Sequence, residues 1–484
     1  VSQRDRLTGL DAAFLHLEAG GAHMHVASVL VFEGQAPPYL DLLDHVERRL
    51  HLVPRYRQKL AFVPYAQGRP KWIDDPHFNL RYHVRHTALP RPGTDGELKR
   101  LAGRLFAQPL DRAKPLWEIW LVEGLEGDRF ALVSKTHHAL VDGVSGVDIA
   151  SVLFDTSRTP VVPSDPGGDW TPRPEPSRSE LLAEALLERA TVPAEALRGL
   201  RALTRAPRQA AARLAETAAG VGAMAWAGFG GAPPSPFNVP IGPHRRYTWV
   251  DADLPRFKAI KNGLGGTLND AVLASVTLAL GSYLRREGHD TDGLELKAMV
   301  PVSVRADEER GALGNRVAAM YAPLQVGITD PKAVFEAVHA AMGDLKSSGQ
   351  AVGAQRLTEM ADFAPTTLMT QAARLQARQR LFNLVVTNVP GPQVPLYLLG
   401  RKLTGLYPVV PLAQRQALGI AIMSYHGRLG FGLLGDYDAM PHLDDLAEDL
   451  EQAIDALAAA AGAPASKGAA RRPARARRPR TTTP

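Results

Sequence analysis

The chain has 484 residues, 45% hydrophobic and 22% charged, enough for two or three domains with a buried core and an internal cavity. It contains no cysteine, which excludes a thiolate nucleophile, a disulfide framework and any zinc site that uses sulfur. The formal net charge of +6 belongs to the end of the chain: residues 463–484 hold seven lysines and arginines and no acid, leaving 49 basic against 50 acidic residues elsewhere.

That Ala/Pro/Arg tail has too little apolar surface to fold and reads as disordered, either simply solvated or held loosely to an anionic membrane surface or nucleic acid. Val1–Arg6 shows no signal-peptide pattern, and no uninterrupted apolar run is long enough to cross a bilayer. The nearest run, Ala218–Ala232, is short and rich in Gly and Ala, and reads as a core or interfacial helix.

In chain order, Leu10–Phe14 begins a helical turn and His25–Phe32 reads as an apolar strand. Leu40–Leu52 has helical periodicity, with Leu42, Leu43, Val46 and Leu50 on one face and Pro54 closing it. Gly96–Leu105 is a second helix. Pro115–Val122 is a strand, and Gly124–Asp128 turns it into another that ends near Ser134. Prolines then cluster from Pro160 to Pro176, the composition of a linker, followed by an Ala/Leu/Arg-rich helical stretch from Ser177 to about Phe229 and a second linker at Pro233–Pro236. The second half begins with a strand at Tyr247–Val250 and a strong helix at Leu268–Arg286. A strand follows at Leu296–Val304, placed at a sheet edge or strand end by Pro301. After a helix at Pro331–Leu345 come a strand at Leu381–Asn388, a hairpin of Leu418–His426 and Leu429–Leu434 around Gly427, and a helix from Leu443 to about Ala460. The reading is of a mixed α/β protein with two halves: residues 1–175, a helical connector over 176–240, and residues 241–462, followed by the tail 463–484.

The chemistry concentrates in Lys135–Gly146, KTHHALVDGVSG, at a strand end. Successive side chains of an extended segment point to opposite faces, so His137 and His138 do not address one substrate in the same way. A neutral imidazole in reach of an alcohol or amine removes its proton as that group attacks a carbonyl, which makes His138 a candidate general base. The alternatives are a pair of structural histidines and a metal site; metal is the weaker, because no second histidine lies at helical spacing. Asp142 fits a loop-fixing partner for a cation, and Gly143 permits close backbone approach or a positive φ. Two other patterns mislead. Gly430–Gly435 has the G-x-G-x-x-G spacing of a dinucleotide fold, yet it lies in strand-like sequence with no helix opening after it. Gly143–Val147 misses the nucleophile elbow at its fifth position.

Taken in order, Leu10–Phe14, Met24–Val26, Val53–Arg57, Pro115–Glu118, the HHxxxDG block, Thr267–Asp270, Pro301–Arg305, Leu313–Arg316 and Thr387–Pro392 closely resemble the bacterial wax ester synthase/diacylglycerol acyltransferase family. That family sits in the larger group that includes chloramphenicol acetyltransferase and peptide-synthetase condensation domains. The resemblance implies two chloramphenicol-acetyltransferase-like domains joined by a helical linker, with the active site and a channel at their interface. It implies an acyltransferase in which His138 deprotonates a hydroxyl that attacks the thioester of acyl-CoA directly, with His137 in support and Asp142 architectural, paired with an arginine for which Arg57 is the candidate. Asn269 is either an oxyanion donor or a helix-start residue that satisfies backbone donors, and Asp270 beside it a capping residue. Trp117 is a channel wall or a core aromatic, Asn388 to Pro392, including Gly391, a substrate-side loop or a rigid turn, and Arg305 and Arg316 are contacts for CoA phosphates or surface pairs. The implied partners are acyl-CoA with diacylglycerol or a fatty alcohol; the alternatives are the same fold acylating a different alcohol or an amine, and a non-catalytic acyl-CoA- or lipid-binding homologue. No bound cofactor, metal or specific nucleic acid is expected, and the implied location is cytoplasmic, at a membrane or lipid-droplet surface.

Overall fold

The computed structural model describes residues 6–18, 20–140, 152–161, 170–187, 231–303, 317–347 and 380–463. Its strands in chain order are β1 (His25–Glu33), β2 (Gln58–Ala61), β3 (Lys71–Asp74), β4 (Val84–Ala88), β5 (Trp117–Leu125), β6 (Arg129–His137) and β7 (Arg245–Asp253). They continue with β8 (Glu295–Ser303), β9 (Val317–Gln325), β10 (Leu384–Pro390), β11 (Tyr397–Leu398), β12 (Arg401–Val409), β13 (Leu418–Tyr425) and β14 (Arg428–Asp436). They form two six-stranded sheets, ordered β11-β12-β1-β6-β5-β4 and β7-β14-β13-β10-β8-β9, and a separate β2–β3 pair.

The first sheet is covered on both faces, which is why its central strands read as apolar runs rather than as alternation. Leu30, Phe32, Phe130 and Leu132 pack with α1 (Gly9–Leu17) and α2 (Tyr39–Glu47). Val29, Val31, Ala131 and Val133 face the other way, against Leu98, Ala102 and Phe106 and against Tyr247, Tyr407 and Val409 from the second half. The helix carrying Leu98, Asp95–Phe106, is the third long helix of the chain and is fixed at its start by a Thr94–Glu97 capping box. Between β5 and β6 the chain reverses through Gly124, Gly127 and Asp128, all at positive φ.

The second sheet is covered by the helices Leu254–Leu264, Leu268–Arg286, Pro331–Ser347 and Leu443–Ala460. Leu268–Arg286 is buried almost all round, and Thr267 and Asp270 form its capping box, so Asp270 caps as the sequence suggests. Pro301 lies at a strand end and not at a sheet edge: β8 is internal, and its pairing with β10 stops at Met299. No single described helix is long and apolar enough to cross a membrane.

One feature departs from the division drawn at residue 241. Strand β12, from the second half, adds antiparallel to β1, with Ala27 opposite Val409, and so completes the first sheet. It also presses on the second sheet. A Cβ on Gly430 would lie 1.9 Å from the Leu406 carbonyl oxygen, and one on Gly432 1.8 Å from that of Pro408. The glycine spacing that mimics a dinucleotide motif is thus a strand, β14, stripped of side chains where another backbone passes over it. The connector expected over 176–240 falls mostly outside the described residues; within them, 178–187 is helical.

Gly432→Ala is expected to destabilise the protein by about 1–3 kcal/mol or more, because neither backbone has room to withdraw. Gly343→Ala, in the exposed interior of Pro331–Ser347 with nothing within 4 Å of the new Cβ, is expected to stabilise by about 0.5–1 kcal/mol. Urea midpoints at constant m-value check both signs.

Candidate active site

Strand β6 ends at His137, and His138–Leu140 turn away from it. The β1–β6 register places His25 opposite His137, and one step further the His138 N–H donates to the Met24 carbonyl at 2.8 Å. Both histidines are therefore held by backbone before their side chains are considered. The His137 ring is buried, and its Nδ1 accepts the Ala139 N–H at 3.0 Å. A nitrogen that accepts carries no proton, so the ring proton is on Nε2. Nε2 lies 3.2 Å from Glu18 Oε1, close but without the alignment of a full hydrogen bond, so the contact is electrostatic more than directional.

Glu18 is the residue just beyond the helix Gly9–Leu17. Its Oε1 accepts the Met24 N–H at 2.8 Å, and its Oε2 accepts from Arg112 Nε at 3.1 Å and Nη2 at 2.6 Å. Burial works to raise the Glu18 pKa, but His137, Arg112 and the Met24 N–H outweigh it and hold the carboxyl down at about 2. No sequence signal marks Glu18 as functional: it is a single acid at a helix end, joined to His137 only by the fold.

His138 leaves the strand differently. Its ring is half-buried and stacks on Phe14, with centroids 4.0 Å apart and planes at 27°. Such a ring is neither sealed in the core nor fully solvated, which is what a proton acceptor for an incoming substrate needs. Beneath it the sheet is braced by further buried groups. Lys135 donates to the Leu105 and Gln108 carbonyls at the end of helix Asp95–Phe106 and lies 3.6 Å from Glu118. Burial lowers the Lys135 pKa and Glu118 opposes that. The His25 ring, pushed well down in pKa by burial, donates from Nε2 to the Phe106 carbonyl at 3.0 Å.

Trp117 does not line an open surface. It is fully buried, its Nε1 donates to the Tyr56 carbonyl at 2.8 Å, and His83 stacks on it at 4.6 Å. Of its two readings the core one fits, because Tyr56 and His83 cover the ring; burial also drives the His83 pKa down to about 4. Asn269 and Asn388, far apart in sequence, do come together: Asn388 Nδ2 donates to Asn269 Oδ1 at 3.4 Å. Asn269 is not the helix cap, since Thr267 takes that role. Gly391 donates to Ser424 Oγ at 3.2 Å, and a Cβ there would lie 2.3 Å from the Ser424 carbonyl oxygen, so this loop is seated on the end of β13. Asp142, Gly143, Arg305 and Arg316 lie outside the described residues. Arg57, the suggested partner of Asp142, has its guanidinium over the Trp170 ring at 5.1 Å. Among the described residues no group of three or more His, Asp or Glu side chains is arranged to hold a metal ion.

The wax ester synthase/diacylglycerol acyltransferase catalytic-domain model matches residues 7–272, and the model of that family's C-terminal domain matches 313–458. The chain belongs to this family. It is 34% identical over 459 residues to a probable diacylglycerol O-acyltransferase, Tgs1, of Mycobacterium tuberculosis, covering 94% of this chain and 96% of the relative. It is 35% identical over 465 residues to a second such protein, Tgs2, of the same organism, covering 93% and 98%. The solved wax ester synthase/diacylglycerol acyltransferase of Marinobacter aquaeolei VT8 superposes with a TM-score of 0.65 at 28% identity, covering 94% of this chain and all of that one. The first condensation domain of the CDA synthetase shares the fold, with a TM-score of 0.55 at 17% identity over 96% of this chain and 97% of that one. The chain is accordingly an acyltransferase of the wax ester synthase/diacylglycerol acyltransferase type, with the mixed α/β fold of that family and of condensation domains.

Because the Glu18 carboxyl is held below its unfolded value, its contribution to stability is present above about pH 4.5 and is lost as pH falls toward about 2. That contribution is on the order of 3 kcal/mol. The stability gap between the wild type and Glu18→Gln is expected to close over that window, as read by urea titrations at stepped pH.

Proposed function

We propose that this acyltransferase moves a long acyl chain from acyl-CoA to the free hydroxyl of diacylglycerol, with His138 as the general base. The observation that carries the reading is the half-buried His138 ring at the end of β6, beside a histidine whose proton position is set by its neighbours. The names of the mycobacterial relatives support diacylglycerol as the acceptor. The reaction makes modest demands. His138 takes the hydroxyl proton as the oxygen bonds to the thioester carbonyl carbon; the C–S bond then breaks, and the same proton passes to the departing thiolate. No acyl-enzyme intervenes. One oxyanion forms, and Asn269 is its proposed donor: Asn388 occupies its Oδ1, so its amide hydrogens are directed elsewhere. Each buried methylene of the acyl chain adds about 0.8 kcal/mol of binding, so an apolar channel needs few polar contacts. A long-chain alcohol as acceptor is the second reading, since the family's name covers both products.

Both acceptors are insoluble in water, so the proposed place of work is the cytoplasmic face of a membrane or a lipid-droplet surface, with acyl-CoA arriving from solution. The basic stretch 463–484 supplies a charge that an anionic surface attracts, at roughly 1 kcal/mol per Lys or Arg close to it.

With palmitoyl-CoA, free thiol release is expected to rise on adding diacylglycerol, and His138→Ala to abolish that rise. An unchanged acceptor-dependent rate in His138→Ala would end the base assignment, whereas no acceptor effect in the wild type would end the substrate assignment. Co-sedimentation with anionic liposomes is expected to weaken when residues 463–484 are removed, and to weaken further with added salt.

A further inference from the structure

The Glu18 carboxylate is engaged through both oxygens beside His137, and the reaction as written does not use it. It makes two connections that converge on His138. Through Oε1 it faces His137 Nε2 at 3.2 Å, while Ala139, the residue after His138, donates to the other nitrogen of the same ring. Through the same oxygen it accepts the Met24 N–H, and the Met24 carbonyl in turn accepts the His138 N–H. His138 is thus bracketed by two residues that both answer to one carboxylate. Arg112 completes the arrangement: it binds Glu18 through two nitrogens and the Leu15 carbonyl through Nη2, tying the end of helix Gly9–Leu17 to the same point. A half-buried carboxylate set in this way cannot turn toward solvent without leaving Arg112 and the Met24 N–H unpaired.

We propose that Glu18, clamped by Arg112, is a positioning residue for the acyl-transfer base: through His137 and Met24 it sets the orientation of His138. The inference rests on His138 being the base. Glu18 does not touch substrate and does not move the reacting proton. It also reaches across the fold, because Met24 lies three residues beyond Gly21, whose carbonyl accepts from Arg245 of the second half. The loop that holds the base is therefore tied to both halves.

The test compares full-length wild type, Glu18→Gln, Glu18→Asp, Arg112→Lys and His138→Ala, each checked for folding by circular dichroism and thermal unfolding, with palmitoyl-CoA and diacylglycerol. Glu18→Gln is expected to lower kcat by roughly 100-fold, the scale of a displacement of about 1 Å at a reacting group, with KM for palmitoyl-CoA within about twofold. Glu18→Asp is expected to restore part of kcat, and Arg112→Lys to fall in the same direction by a smaller factor. Removing the anion disfavours the imidazolium, so the acidic limb of the kcat–pH profile should move to lower pH in Glu18→Gln. A folded Glu18→Gln with wild-type kcat and an unmoved acidic limb, alongside an inactive His138→Ala, would overturn the proposal and leave the base assignment standing. If Glu18→Gln does not fold, Arg112→Lys decides: unchanged kcat and pH profile overturn the proposal. An active His138→Ala removes the base assignment itself.

Discussion

The close passage of β12 over β14 is the constraint on which the rest of the molecule depends. Two backbones meet where Leu406 and Pro408 face Gly430 and Gly432, at a separation that no side chain permits. The same strand pairs with β1, and β1 pairs with β6, which carries the histidines. One segment of nine residues therefore belongs to one sheet by hydrogen bonding and to the other by packing. The buried residues between the sheets, including Val31, Tyr247, Trp249, Tyr407 and Leu434, form a common core, so the two halves share apolar burial as well as a strand.

From that frame the site follows as a matter of strand ends. β1 begins and β6 ends at the same level, so the loop before β1 and the turn after β6 lie side by side. The first supplies Glu18 and Met24, the second His138 and Ala139, with His137 the last residue of β6. The electrostatics are local and one-sided: a carboxylate held ionised by His137, Arg112 and the Met24 N–H faces a ring whose other nitrogen is already engaged. Lys135 is spent on structure at the end of a helix, where it meets helix-end carbonyls and a favourable dipole.

Much of this was legible in the residues, and what was not has physical causes. The helices Leu268–Arg286 and Leu443–Ala460 match the sequence reading closely, because long periodic segments specify themselves. Leu40–Leu52 is read too long: the α-helix stops at Glu47 and a 3-10 turn takes over at Leu50. Strands β2, β3, β4, β9, β11 and β12 escape the reading, the first three and β11 being only two to five residues long. In β12, Gly405 and Pro408 break the pattern; the proline is tolerated because β11 pairs with β12 only at Arg401 and Lys402, and among the described residues no strand pairs with the outer edge beyond them. Partnerships made by tertiary folding leave no local trace, so the meeting of Asn269 with Asn388 was invisible, as was that of Glu18 with His137. Trp117 shows the opposite: its strand was plain, and only its neighbours decide that the ring is enclosed.

The borrowed strand also bears on how such a chain is divided. A cut within the linker before residue 241 would give a first piece whose β1 presents a bare row of amide and carbonyl groups, with its apolar neighbours uncovered, and a second piece with an unattached strand of the matching register. Neither piece is self-sufficient, yet each holds what the other lacks. Mixed together they have the makings of a split enzyme, in which reconstitution is the addition of one edge strand to a waiting sheet.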